Sequence, residues 1–355
     1  MSRFFSDRFG GLTPYTPGEQ PQNRRYIKLN TNESPYPPSP GVLKAAAEEA
    51  GRLQLYSDPE CRELTRVLAK RFGLTEEQVI FGNGSDDLLN FAFMAFCDET
   101  RPALFPDISY GFYPVFAEVN RVPYIEIPLD DHLDIRLEDY AERQGTVFLA
   151  NPNAPTGIAK PASAIEKLLK ARPDDVLVVD EAYVDFGGES VLPLVSRYDN
   201  LLVVQTFSKS RSMAGARLGF AVGNPELIRD LNTLRYSTNP YNINRMTLAA
   251  GVAALQEDDY YAENARRVAE TRAWTVGRLE ALGFELTDSK ANFLFARSPR
   301  IDGGELYRAL KERGILVRHF DRPRISDWVR ITVGTREQMD ALLRETEAVL
   351  REITD

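Results

Sequence analysis

The chain has nine lysines against 34 arginines, and one of those lysines keeps unusual company. Lys209 lies in Thr206-Phe207-Ser208-Lys209-Ser210-Arg211-Ser212, between two apolar runs and eight residues before Arg217. A lysine desolvated near another cation has a lowered pKa and can form a Schiff base with a carbonyl compound. The hydroxyls around it, together with Arg217, suit a phosphate. A lysine taken at random is a surface residue, so the reading depends on what accompanies it.

Three other segments accompany it. Phe81-Gly82-Asn83-Gly84-Ser85-Asp86-Asp87 reads as a strand passing through glycines into a helix start, whose free N–H groups bind phosphate. The plainer alternative is a tight turn with an Asp/Ser cap. The segment lacks the third glycine of a dinucleotide fingerprint, and no Gly-Lys-Ser/Thr occurs for a P-loop. Asn151-Pro152-Asn153-Ala154-Pro155-Thr156-Gly157 follows an apolar run at 147–150. A polar turn there sits at the carboxyl end of a strand, where open α/β sheets bind ligands, although an ordinary turn has the same composition. In Val176-Leu177-Val178-Val179-Asp180-Glu181-Ala182-Tyr183, a carboxylate ends a fully apolar strand. Asp180 therefore needs a buried partner that is positive or protonated, unless it simply caps the next segment.

These residues need a scaffold. At roughly 150 residues per domain, 355 residues predict about two domains. A hydrophobic fraction of 43% and a charged fraction of 27% exclude disorder and a disulfide scaffold. The net charge, 43 − 52 = −9, repels phosphate backbones and anionic membranes, so neither nucleic acid nor a membrane is expected as a partner. Cys61 and Cys97 read as buried thiols of a reducing compartment. With His132 and His319 as the only histidines, a His/Cys metal cage is not expected. The first eight residues hold no apolar signal region, and the longest apolar run, 88–97, is half a bilayer span. A cytoplasmic protein is expected.

Seven prolines within 1–40 predict an extended arm. Helices are expected at 42–53 and 60–72, and short apolar strands at 79–81, 103–105, 124–127, 147–150, 176–179, 201–205 and 218–222. Runs of this length suit strands buried on both faces, and their alternation with helices implies a mainly parallel sheet. Helices at 226–235, 245–255 and 258–282 follow. A smaller unit then carries strands 292–296, 315–318 and 329–333 and helices 304–313 and 336–353. The expected division is an arm 1–40, a large α/β domain 41–255 and a small α+β domain 256–355.

Phosphate turn, polar loop, buried aspartate and hydroxyl-flanked lysine, in this order, resemble the fold-type-I aminotransferases that use pyridoxal phosphate. The resemblance covers essentially the whole chain. Three segments look like the histidinol-phosphate aminotransferase branch: Leu29-Asn30-Thr31-Asn32-Glu33-Ser34-Pro35-Tyr36-Pro37, Asp180-Glu181-Ala182-Tyr183 and Arg330-Ile331-Thr332-Val333-Gly334-Thr335. The resemblance implies that Lys209 holds the cofactor as a Schiff base and shuttles the proton. It implies that Asp180 keeps the pyridine nitrogen protonated, Tyr183 bonds the ring oxygen and Tyr110 stacks on the ring. Gly84, Ser85, Thr206, Ser208 and Arg217 would hold the phosphate, with Asp86 also counted among the cofactor contacts. Tyr56 would reach a partner's phosphate across a two-fold dimer. The asparagine that the family places directly before Pro-Thr-Gly, on the ring oxygen, is Ala154 here, and Asn153 is expected to substitute for it if the loop shifts.

The implied reaction is a ping-pong transfer from histidinol phosphate to 2-oxoglutarate, giving imidazole-acetol phosphate and glutamate. Arg330 would take the 2-oxoglutarate carboxylate and Arg318 the phosphate or distal carboxylate, with Asn32 and Tyr15 as further substrate contacts. A threonine-phosphate decarboxylase, a broader aromatic aminotransferase and a catalytically silent binding module are the rival readings.

Overall fold

The structure, a computed structural model, describes residues 2–353. The described part of the arm before Pro40 contains no α-helix; it forms a 3-10 turn at Asp7–Phe9 and strand β1 (Ile27–Lys28). Pro40 opens α1 (Pro40–Ala50), at the helix position where its fixed φ and missing N–H are harmless. After α2 (Arg62–Phe72) come β2 (Val79–Gly82), α3 (Ser85–Phe96), β3 (Ala103–Pro106), α4 (Tyr113–Asn120) and β4 (Tyr124–Ile127). A short α5 (Glu138–Ala141), β5 (Thr146–Ala150), α6 (Ala162–Ala171), β6 (Leu177–Asp180), β7 (Leu201–Thr206) and β8 (Gly219–Gly223) follow.

Strands β2 to β8 form one sheet in the order β2-β8-β7-β6-β5-β3-β4. Strand β8 runs antiparallel to both its neighbours, β2 and β7, and the other pairings are parallel. Each expected apolar run is a strand of this sheet. The exception to the expected two-sided burial is β4, the outer edge, where Tyr124, Ile125 and Glu126 are exposed because nothing pairs beyond them.

Alternation along the strands sorts the side chains to two faces. Val147, Leu149, Leu177, Val179, Leu201 and Val203 pack toward α1, α2, α6 and a later helix, α8, defined below. Phe148, Ala150, Val178, Leu202 and Val204 pack toward α3 and α4. By the same alternation, Asp180 and Thr206, at the strand ends, fall on the α3/α4 side.

Beyond the sheet, α7 (Pro225–Thr238) and α8 (Arg245–Gln256) lead into the long α9 (Asp258–Ala281). Tyr261 of α9 belongs to the core of the large sheet, whereas Ala265, Val268 and Leu279 belong to a second core. That second core holds β9 (Glu285–Leu286), β10 (Phe293–Arg297), α10 (Gly303–Glu312), β11 (Ile315–Leu316), β12 (Arg318–His319), β13 (Trp328–Thr332) and α11 (Arg336–Glu352). The strand expected at 315–318 is two strands. Ile315–Leu316 pair in parallel with β1 of the arm, and Arg318–His319 pair with β13 in a four-stranded antiparallel sheet. The arm thus takes one edge of a chain segment that sequence periodicity alone reads as continuous.

Cys61 and Cys97 are free and buried, and burial pushes their thiols up to about 11 and about 12. No described helix is long and apolar enough to cross a membrane.

Candidate active site

The parallel register sets Ala150 beside Asp180 and Asp180 beside Val204, so β5, β6 and β7 end level. Ala150, Asp180 and Thr206 line a cavity at those carboxyl ends with Tyr183, Lys209 and Arg217. Asp180 is 5% exposed and makes no ion pair among the described residues. One carboxylate oxygen accepts from the Ala182 N–H at 3.1 Å, and the other lies 3.3 Å from the hydroxyl of Tyr113 on α4. Burial pushes Asp180 up to about 7 and raises the Tyr113 phenol, which stays protonated and donates. A buried carboxylate that faces a cavity and pairs with no cation among the described residues fits a protonated ring nitrogen.

The opposite end of the cavity is built from the α3 N-terminus. Gly84 has φ +81, and a Cβ there would stand 2.4 Å from Arg217 Nη2. Gly219, opposite it on β8, leaves room for the turn: its Cβ would lie 2.4 Å from the Ser85 backbone nitrogen. Arg217 adopts φ +56, an uncommon conformation for a residue with a side chain, and its guanidinium reaches Ser208 Oγ at 3.4 Å. Free N–H groups, hydroxyls and a guanidinium converge there as a phosphate requires. Asp86, counted among the expected cofactor contacts, also lines the cavity. A carboxylate repels phosphate, and its oxygens are taken by Tyr110 Oη at 2.6 Å and Arg217 Nη2 at 3.0 Å. It positions those two groups.

Lys209, Tyr110, Tyr183 and Ala154 face both this cavity and a wider cleft. Lys209 Nζ lies 3.5 Å from the Thr31 carbonyl and 5.7 Å from the Tyr183 ring centre. Arg330 sits between the rings of Phe293 and Phe320, 5.4 and 5.5 Å from their centres. One of its nitrogens donates to the Asn30 carbonyl at 3.2 Å, while its buried Nε has no partner. Desolvation lowers its pKa. Arg318 donates to the carbonyls of Thr16 and Pro17 in the arm. Tyr15 lies against Phe112, ring centres 4.3 Å apart. Asn32 lines the cleft with its amide bonded to Tyr183 Oη at 3.0 Å and to Thr332.

Asn153, expected to substitute for the missing asparagine, lines neither cavity. It is 1% exposed, and its side chain is used inside the loop by Ser109, Ile108 and Thr156 at 2.8 to 3.3 Å. Ala154 is the residue of this pair that faces the cavity. Tyr56 does not line this cavity; it is 78% exposed and stacks on Tyr241. Three residues of the site escaped sequence reasoning: Tyr113, Thr332 and Arg322, a third arginine of the cleft. Tyr113 opens α4, three residues beyond Tyr110, and its ring meets that of Tyr110 edge-on with centres 5.6 Å apart.

A family model for class I and II aminotransferases matches residues 24–345. The chain is 50% identical to histidinol-phosphate aminotransferase 2 of Dechloromonas aromatica, over 100% of both chains. It is 48% identical to the histidinol-phosphate aminotransferase of Pseudomonas putida, over 97% of this chain and 99% of that one. Among solved structures, histidinol-phosphate aminotransferase from Sinorhizobium meliloti in complex with pyridoxal-5'-phosphate matches with a TM-score of 0.88 at 25% identity, over 99% of each chain.

Proposed function

From its membership of the class I and II aminotransferases, which the full-length relatives establish, we propose that this chain is a pyridoxal-phosphate-dependent enzyme that transfers the amino group of histidinol phosphate to 2-oxoglutarate. The products are imidazole-acetol phosphate and glutamate. One observation carries the substrate reading. In a chain of net charge −9, the cleft beside Lys209 is lined by Arg318, Arg322 and Arg330 and by no carboxylate. Such a cleft takes a phosphate in one half-reaction and carboxylates in the other.

When bound, pyridoxal phosphate supplies the electron sink for a carbanion at the amine-bearing carbon. Asp180 keeps its charge opposite the ring nitrogen, with Tyr113 and Ala182 fixing its oxygens. Gly84, Ser85, Thr206, Ser208 and Arg217 hold the phosphate, and Asp86 aims the guanidinium. Tyr110 would cover one face of the ring, and Tyr183 would donate to its oxygen. Lys209 Nζ would hold the cofactor and, when free, would be the group that carries a proton at the amine-bearing carbon. Arg330 forks onto the carboxylate, and Arg318 binds the distal anion close to Tyr15.

Tyr56 belongs to a second copy's site in this reading. Leu53, Leu55 and Tyr56 are 60%, 55% and 78% exposed, an apolar patch that a two-fold partner would cover. We take residues 41–255 as the large domain, 256–355 as the small one, and the cytoplasm as the compartment, in keeping with two free, inert thiols.

The test is a half-reaction. Histidinol phosphate added to the cofactor-loaded protein, without any keto acid, is expected to convert the visible band of the bound cofactor to that of its amine form. A band that persists there but falls with phenylalanine or tyrosine would make the enzyme an aromatic aminotransferase. Carbon dioxide released from threonine phosphate would make it a decarboxylase.

A further inference from the structure

Three consecutive arm residues each touch one functional side chain. The Asn30 carbonyl accepts from Arg330, the Thr31 carbonyl lies beside Lys209 Nζ, and Asn32 Nδ2 donates to Tyr183 Oη at 3.0 Å. Asn32 is 1% exposed and has φ +57, a region that few residues other than glycine, asparagine and aspartate tolerate. Its remaining polar groups are all engaged. The backbone N–H donates to Thr332 Oγ1 at 2.9 Å, and the side-chain oxygen accepts from the same hydroxyl at 3.0 Å. The carbonyl accepts from Asn292 Nδ2 at 3.0 Å.

This bonding decides which way the amide lies. Thr332 Oγ1 takes the backbone proton and spends its own on Oδ1, so the NH₂ group is left for Tyr183. The phenol oxygen then receives a hydrogen bond from Asn32 and keeps its proton. Ala154, on the cavity wall next to it, offers nothing to accept that proton.

We propose that Asn32 is a positioning residue: by donating to Tyr183 Oη, it directs the phenolic proton into the cavity, onto the ring oxygen of the bound cofactor. The inference rests on the aminotransferase reading. It places the tuning of the ring oxygen with the arm, which is clamped to the small sheet through Thr332.

The readout is the pH midpoint of the bound cofactor's visible band in the loaded protein. A donor on the ring oxygen draws electron density away and lowers the basicity of the conjugated nitrogen, so its loss raises the midpoint. Asn32→Ala is expected to raise it by about half to one pH unit, a three- to tenfold change typical of one hydrogen bond. In a Tyr183→Phe background, the same substitution is expected to add nothing, because Asn32 acts through the phenol. Thr332→Val, which preserves packing but frees the amide, is expected to shift the midpoint in the same direction and serves if Asn32→Ala does not fold. An unchanged midpoint in the single variants, or an equal shift with and without Tyr183, overturns the proposal while leaving the aminotransferase reading intact. A wild-type protein that forms no cofactor band overturns that reading instead.

Discussion

Asp180 and Glu181 are adjacent buried carboxylates, each pushed up to about 7 by burial, yet they face opposite ways. Asp180 looks into the cavity. Glu181 turns to the other side of the sheet, where the Ser190 hydroxyl, the Val191 N–H and Gln205 Nε2 donate to it at 2.6 to 2.8 Å. Its bonds hold the loop after β6 against β7, a structural role. Because both folded values lie above the ordinary carboxylate range, the folded chain binds more protons than the unfolded one between about pH 4 and 7. This contribution to stability is present at low pH and lost as pH rises through about 7. In cofactor-free protein, Asp180→Asn should therefore flatten the fall of the melting temperature between pH 5 and 8 relative to wild type, as thermal melts would show. An unchanged slope would mean that Asp180 is not protonated there. Arg330 makes a separate claim. Arg330→Ala removes a charge-assisted bond of about 1.5–3 kcal/mol, so steady-state turnover with both substrates should fall roughly 10- to 100-fold while absorbance shows the cofactor retained. Full turnover in that variant would remove Arg330 from the substrate site.

The phosphate seat depends on two antiparallel strands meeting the first turn of α3. Gly82 of β2 pairs with Gly219 of β8, and Gly219 also pairs with Thr206 of β7. Three segments of the site are therefore in contact at one glycine. Gly219→Ala would force its new methyl against the Ser85 backbone, and overpacking against backbone costs about 1–3 kcal/mol. Pyridoxal phosphate should bind at least about tenfold more weakly in equilibrium titration, with the sheet still folded by circular dichroism. Wild-type affinity would show that the α3 turn is not the seat. In the two-stranded sheet, the parallel β1–β11 pairing fixes the height of Asn30, Thr31 and Asn32 against Arg330, Lys209 and Tyr183. Two residues of strand thereby set three functional contacts.

Across the whole molecule, the site draws on the arm, the carboxyl edge of the large sheet and β12–β13 of the small one. Arg324 of the β12–β13 loop bonds Asp107 at 3.1 Å and the carbonyls of Leu129 and Asp130, tying the small sheet to the loop just before Tyr110. In the dimer proposed above, the exposed Tyr56 would complete a partner's site. Leu55→Asp should convert a dimer to monomers in sedimentation velocity and weaken cofactor binding about tenfold or more, since each seat loses a partner's phenol. Tyr56→Phe should weaken binding while the dimer persists. A monomer that keeps its cofactor would show that the seat is complete within one chain.

The strands, most helices and the four chemical segments were legible in the sequence because their signals are local. A buried strand is a short apolar run, an arm is a cluster of prolines, and Asp180 ends its own strand. What faces what was not legible. The reversed direction of β8, the division of 315–318 between two partners, and the pairing of Asp86 with Arg217 across 131 residues depend on strand order. So does the bond from Asn32 to Tyr183, 151 residues apart. The choice between Asn153 and Ala154 shows the distinction within a single loop. Both are adjacent in a polar turn, and only the hydrogen bonds to Ser109 and Ile108, contributed by another strand's end, turn the asparagine inward and leave the alanine at the cavity. Residue type and spacing determine which groups are available for chemistry, whereas long-range pairing of strands determines which of them meet.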